Sequence, residues 1–231
     1  MRHFYDSNIN DSMSIFTLSE AESKHIIRVL RMVEGDQLII LNGFGDTFSC
    51  TITDPHPKKC ELNIDSVKKD QKPNHSIHIA ISPTKQSDRM EWFIEKATEI
   101  GVTEISLIIG KNQERSKVKT DRLLKRAISA MKQSHRTFLP KLNETVDVSA
   151  FVKKNPNGLI AHCYDTPRGT FEELYQKNDC PILIGPEGDF TEAEIELALE
   201  NGYKTITLGE NRLRTETAGL YVCMRAKLLV E

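Results

Sequence analysis

The apolar positions change their period once along the chain, near residue 72. Before that point they alternate in short runs. Residues 37–41 and 47–53 flank Asn42-Gly43, the dipeptide that favours a tight hairpin turn. Residues 60–67 alternate polar and apolar and predict another strand. A capping box, Ser19-Glu20-Ala21-Glu22, opens a helix expected to reach about Leu30, with Gly35 beyond its end. The stretch Lys68-Lys69-Asp70-Gln71-Lys72-Pro73-Asn74 is charged and holds no apolar residue, so it reads as a linker. Residues 1–72 therefore predict a small, mostly β unit.

Beyond the linker, strand and helix patterns take turns. Residues 77–81 predict a strand. Residues 88–100 predict a helix with Phe93, Ile94, Ala97 and Ile100 on one face, stopped by Gly101. A strand at 105–109 follows, then a helix at 121–134 whose buried stripe is read as Leu124, Ile128 and Met131. Further strands fall at 159–163 and 182–184. A second capping box, Thr191-Glu192-Ala193-Glu194, starts a helix that ends at Gly202, and the last strand is 206–208. A helix from about Thr217 runs to the C-terminus. Alternation of this kind implies an α/β fold, a parallel sheet with helices on both faces. Residues 73–231 are expected to form this second domain.

Composition narrows the class. The 231 residues are 39% hydrophobic and 28% charged, as in an ordinary globular protein. No apolar run is long enough for a membrane span, and the first residues show no secretory h-region. Five cysteines, odd in number and without Cys-x-x-Cys spacing, point to reduced thiols in a cytoplasmic protein. They argue against a disulfide frame or a metal site. The net charge of −2 hides a segregation: residues 111–141 hold ten Lys/Arg against two acids, while 142–231 hold nine against fifteen. A basic block in a mildly acidic chain is the footprint of phosphate contacts, although most charge runs end as solvated helix faces.

Two loops carry the candidate chemistry. Ile184-Gly185-Pro186-Glu187-Gly188 and Leu208-Gly209-Glu210-Asn211-Arg212-Leu213-Arg214-Thr215-Glu216-Thr217-Ala218 each follow a short apolar run and precede a helical pattern. Loops so placed lie at the carboxyl ends of parallel strands, where ligands bind. Glycine after a strand is also plain turn chemistry, so it is the pair that suggests a built site. Neither loop is a Walker loop or a dinucleotide fingerprint. Gly43-Phe44-Gly45 lies in the hairpin and reads as a turn, and His162 in its apolar strand reads as a core histidine. Arg212 and Arg214, two apart, would point the same way in an extended stretch and suit charge that develops on a substrate. Glu187 and Glu216 are the nearby carboxylates, usable as a base or as orienters; helix-start carboxylates held by the dipole are the plain alternative.

Taken together, these blocks resemble the bacterial RsmE-type methyltransferases of the SPOUT superfamily, which methylate N3 of a uridine in 16S ribosomal RNA. The resemblance runs nearly the whole length. It takes in Arg2-His3-Phe4-Tyr5, His25-Ile26-Ile27-Arg28-Val29-Leu30-Arg31, Lys85-Gln86-Ser87-Asp88-Arg89-Met90-Glu91, Lys96 to Val102, Gln133-Ser134-His135-Arg136 and both glycine loops. It implies a PUA-like β-barrel for RNA at residues 1–72 and a trefoil-knotted, parallel-sheet SPOUT domain at 73–231. Default connection rules alone would have left the sheet unknotted. It implies S-adenosyl-L-methionine held by Ile184, Gly185, Gly188, Leu208, Gly209, Leu213 and Thr215, and a homodimer acting on the small ribosomal subunit. Two departures stand out: Asp189 where the family usually has glycine, and Lys132 where it usually has glutamate.

Methylating N3 requires loss of an imide proton, with charge spreading to O2 and O4. Arg212 or Arg214 would stabilise that charge, and Glu187 or Glu216 would orient the base or take the proton. Because N3 lies in the Watson–Crick edge, the target must be unpaired or flipped out. Arg2, Arg28, Arg31, Arg115, Lys117, Arg122 and Arg136 are the candidates for gripping phosphate. The rival readings are another RNA methylation on the same fold, such as ribose 2′-O transfer, a non-catalytic RNA-binding module, and a small-molecule α/β enzyme.

Overall fold

The computed structural model describes residues 2–113, 118–175 and 180–230, which divide into two compact units. The first comprises Met1–Lys72 together with Met131–Leu139. Its strands are β1 (His3–Tyr5), β2 (Ile15–Thr17), β3 (Gln37–Leu41), β4 (Asp46–Asp54) and β5 (Glu61–Lys69), in sheet order β1-β3-β4-β5-β2. β1 runs parallel to β3 and the other pairings are antiparallel. Alternation turns one side of each strand inward, so Leu38, Ile40, Phe48, Cys50, Ile52 and Leu62 build the core with Phe4 and Ile26.

Several expectations for this unit need correction. The helix after Ser19 is α1 (Glu20–Lys24), and residues His25–Val29 continue it as a π turn rather than as α-helix. The supposed linker starts too early: β5 runs to Lys69, and the Asp70 amide donates to the Gly45 carbonyl at 2.9 Å. β1 and β2, each three residues long, gave no usable period. Residues 131–139 return to this unit through hydrogen bonds from Gly45 N to Thr137 O (3.0 Å) and from Leu139 N to Gly43 O (2.9 Å). That is a non-local pairing which no local pattern announces.

The second unit, Pro73–Ala130 with Pro140–Glu231, is a three-layer α/β structure. Its strands are β6 (His78–Ile81), β7 (Glu104–Ile109), β8 (Lys141–Asp147), β9 (Leu159–Ala161), β10 (Gly169–Thr170), β11 (Pro181–Ile184) and β12 (Lys204–Thr207). The helices are α2 (Ser87–Ile100), α3 (Thr120–Gln133), α4 (Val148–Lys154), α5 (Phe171–Leu174), α6 (Glu192–Glu200) and α7 (Thr215–Val230). All pairings are parallel, in order β10-β12-β9-β11-β6-β7-β8. β6 and β11 are buried at every position, as strands covered on both faces must be. α2 ends where Gly101 takes φ 109, and the capping box at Thr191 forms in both directions.

The buried stripe of α3 keeps the expected Met131 but is otherwise one residue away: Leu123, Ala127, Ala130 and Met131 face inward, and Leu124 is exposed. Two of those four are alanines, which contribute little hydrophobic contrast. β8 was missed for a similar reason: as an edge strand, it is fully buried at none of its seven positions.

Candidate functional site

The sheet order brings the important loops together. β9 lies between β12 and β11, so the segments leaving the carboxyl ends of these three strands open side by side. They bound a cleft of about 700 Å³, within the usual range for a small-molecule site. One wall is Gly185–Asp189, the second is Leu208–Thr215, and the third is His162, Cys163 and Tyr164 with Arg168. Ile184, Gly185, Gly188, Leu208, Gly209, Leu213 and Thr215 all line it, as do Arg212, Arg214 and Glu187. Glu216 does not. It sits buried in the first turn of α7 with Oε1 3.7 Å from Arg89 Nε.

The glycines differ in what they do. Gly185 and Gly188 crowd the protein itself: a Cβ would lie 3.1 Å from the Phe190 ring in one case and 3.2 Å from Asn112 Cβ in the other. Gly209 has φ 116 and open space around the missing side chain, so it is the glycine that exposes main chain to the cleft. The buried Thr215 hydroxyl donates to the Gly185 carbonyl at 3.0 Å and so ties the two glycine loops together. Glu187 accepts a hydrogen bond from the Lys85 amide at 3.1 Å.

The third wall was not anticipated, although the rule that picked the other loops applies to it, since it follows the apolar run of β9. Asp189 holds it in place. This residue adopts φ 62, and its carboxylate accepts from the Cys163 amide (2.7 Å) and the Phe190 amide (2.8 Å). Asn112, from the segment after β7, donates to the carbonyls of both Gly188 and Asp189 at 3.1 Å. Arg168 donates to the His162 carbonyl at 2.8 Å. His162 is buried, as expected of a core histidine, yet neither ring nitrogen has a hydrogen-bond partner among the described residues. Burial pushes its pKa down, outweighing the nearby Asp189, so the ring is neutral.

The phosphate-gripping candidates are dispersed. Arg2, Arg28, Arg31 and Arg136 belong to the first unit, and Arg31 has the left-handed φ of 56. Arg122, in the second unit, pairs with the buried Glu91 at 2.6 Å, and Arg126 joins the same carboxylate at 3.1 Å. Part of the basic block on α3 is therefore neutralised within its own unit. Arg115 and Lys117 lie outside the described residues.

Residues 70–227 match the family of RNA methyltransferase domains, and residues 18–65 match the RNA methyltransferase PUA domain. The chain belongs to the RNA methyltransferase family. Its first unit is the PUA-like sheet of that family, and its second, with seven parallel strands, is the SPOUT-type methyltransferase domain. Among its relatives, the ribosomal RNA small subunit methyltransferase E of Rickettsia conorii is 28% identical over 233 residues, covering 99% of this chain and 95% of its own. A probable rRNA-methyltransferase from Porphyromonas gingivalis superposes with a TM-score of 0.90 at 41% identity, over 99% of this chain and 98% of that one. The ribosomal RNA small subunit methyltransferase E of Neisseria gonorrhoeae, solved with S-adenosyl methionine bound, gives 0.86 at 25% identity, over 99% and 98%. No described helix of this methyltransferase is long and apolar enough to cross a membrane, and no described cluster of His, Cys, Asp and Glu could hold a metal ion.

Proposed function

We propose that this RNA methyltransferase transfers a methyl group from S-adenosyl-L-methionine to N3 of a uridine in the 16S ribosomal RNA of the small subunit. One observation carries the reading: Arg212 and Arg214 face the same cleft as two glycine loops, in a family whose members methylate RNA. The cleft suits the cofactor. Ile184, Leu208, Leu213 and Ala218 offer apolar contact for a purine. The segments 185–189 and 208–214 lie outside helix and strand, so their main-chain groups are not committed to a ladder, and Gly209 leaves room to reach them. When bound, S-adenosyl-L-methionine supplies an electrophilic methyl on a sulfonium.

The protein's own part is to hold the uracil, favour its anion and exclude water. Arg212 and Arg214 stabilise charge on O2 and O4 as the N3 proton leaves. Glu187, Asp189 and Glu210 all line the cleft. Asp189 is taken up by the Cys163 and Phe190 amides, and Glu187, fixed by the Lys85 amide, is the carboxylate we assign to accept that proton or orient the base. Glu216 acts from behind, as the buried partner of Arg89. Arg2, Arg28, Arg31 and Arg136 of the PUA-like unit grip phosphate, with Arg115 and Lys117 of the catalytic unit, whereas Arg122 is committed to Glu91. The domains divide at about residue 72, and the second follows the trefoil-knotted path of SPOUT proteins. The working form is a cytoplasmic homodimer. Exposed Met224 and Leu228 on α7 and Trp92 on α2, the helix against which α7 packs, support a partner on that side.

The test is transfer of labelled methyl to small-subunit RNA or particles lacking the modification, followed by nucleoside analysis. Label in 3-methyluridine is expected. Label in a 2′-O-methylated nucleoside would keep the enzyme class and overturn the acceptor atom.

A further inference from the structure

His162 is tied down at its main chain and unspent at its side chain. Its carbonyl is held by Arg168, and the next amide is held by Asp189. The ring lies edge-on to Tyr164, with centroids 5.9 Å apart and planes at 60°. It is 6% exposed, it belongs to the wall of the cleft, and both ring nitrogens are buried without a partner among the described residues. Buried polar atoms left unpaired are costly and rare, so an orphan at the edge of a ligand cleft calls for a partner that arrives with the ligand. The χ2 torsion has broad wells, so the ring can reorient while the main chain stays fixed.

The ring's chemistry restricts that partner. Burial, set against Asp189, keeps the imidazole neutral, and Arg168 works in the same direction as burial. A neutral imidazole offers one N–H donor and one lone pair. Ribose hydroxyls and the purine edge combine donor and acceptor in just this way. The carboxylate and ammonium of an amino-acid end are both charged, and are met more strongly by charged partners than by a neutral ring. Arg212 and Arg214, which line the same cleft, already supply cationic donors for anionic groups.

We propose that His162 contacts the uncharged nucleoside half of the cofactor through a hydrogen bond at one ring nitrogen, and so sets the affinity and selectivity of the site for an intact nucleoside. This rests on the assignment of the cleft to S-adenosyl-L-methionine. The experiment is titration calorimetry on the full chain with S-adenosylhomocysteine and with 5′-methylthioadenosine, which keeps the nucleoside and lacks the amino-acid end. Wild type, His162→Ala, His162→Asn and His162→Gln are compared. His162→Ala is expected to weaken both ligands by the same factor, roughly tenfold or more, and the amide variants to recover part of it. In parallel, ring-nitrogen NMR of His162 is expected to shift when 5′-methylthioadenosine is added.

Should His162→Ala not unfold cooperatively, the two amide variants carry the comparison, since both can donate and accept. Weakening of S-adenosylhomocysteine alone would place the ring at the amino-acid end and overturn the proposal. Unchanged affinities in every folded variant, with an unmoved NMR signal, would overturn it as well. Failure of wild type to bind either ligand is a different result. It would remove the functional reading itself, and this inference with it.

Discussion

Replacing Asp189 with glycine tests how the cleft is held open. The exchange installs the glycine that the resemblance leads one to expect here, so on grounds of backbone strain alone it should help. A left-handed non-glycine residue costs about 1–2 kcal/mol, and φ 62 at Asp189 is such a position. Against this stand two charge-assisted hydrogen bonds, to Cys163 N at 2.7 Å and Phe190 N at 2.8 Å. Bonds of that type contribute about 1.5–3 kcal/mol each. Asp189 is half-buried and Cys163 exposed, so the lower end of that range applies. Glycine also returns conformational freedom to the unfolded chain, about 0.5–1 kcal/mol. The net expectation is a loss of about 1.5–3 kcal/mol in denaturant unfolding. Amide exchange should accelerate at Cys163, and cofactor affinity should fall severalfold because the third wall is released. Asp189→Asn tolerates the same backbone and keeps one acceptor, so it should fall between. If Asp189→Gly is as stable as wild type and the Cys163 amide exchanges no faster, the carboxylate is not the clasp.

Arg214→Ala should cut turnover at saturating cofactor by 10²-fold or more while changing cofactor affinity by less than threefold; an equal fall in both would make Arg214 a cofactor ligand. Gly219→Ala should destabilise the protein by about 1 kcal/mol or more in denaturant titration, although alanine is the better helix former. Its Cβ would meet Ile81 Cδ1 at 2.7 Å and the Phe93 ring at 2.8 Å, both fully buried. Burial pushes the Glu104 carboxyl up, but hydrogen bonds from Asn143 and Lys141 and the charge of His78 prevail, so its pKa lies below the ordinary value. A depressed carboxylate stabilises the fold above its unfolded pKa and loses that contribution as pH falls through the folded one. Glu104→Gln should therefore flatten the acid limb of the stability–pH profile below about pH 5, and an unchanged limb would refute the assignment.

Legibility in the sequence followed physical type. The glycine loops could be read because a short apolar run, a glycine and a capping residue are local signals, and adjacent parallel strands turn local signals into one cleft. β6 and β11 were legible as continuous apolar runs, and the mostly β character of the first unit was legible from its alternation. What the sequence withheld was direction. Thr215 and Glu216 are neighbours in one motif, yet the threonine clasps Gly185 and the glutamate turns away to Arg89. Nothing in their spacing distinguishes the two. Arg122 looked like a free cation in a basic run because its counter-charge, Glu91, comes from a helix some thirty residues earlier.

Asp189 and His162 show why a departure from pattern carries more information than agreement with it. Read locally, aspartate after Gly188 starts a helix and histidine after an apolar strand fills a core. In three dimensions the aspartate accepts the amide that follows the histidine, so these two local readings describe one device. The clasp fixes the main chain beside the cleft. It thereby leaves an imidazole that is neutral, buried and, among the described residues, unpartnered in the wall of the cleft. A core histidine with satisfied nitrogens would have given the strand stability and nothing else. Its unpaired nitrogens are what the proposed contact with the cofactor would use, and only its neighbours in space, not its place in the sequence, reveal them.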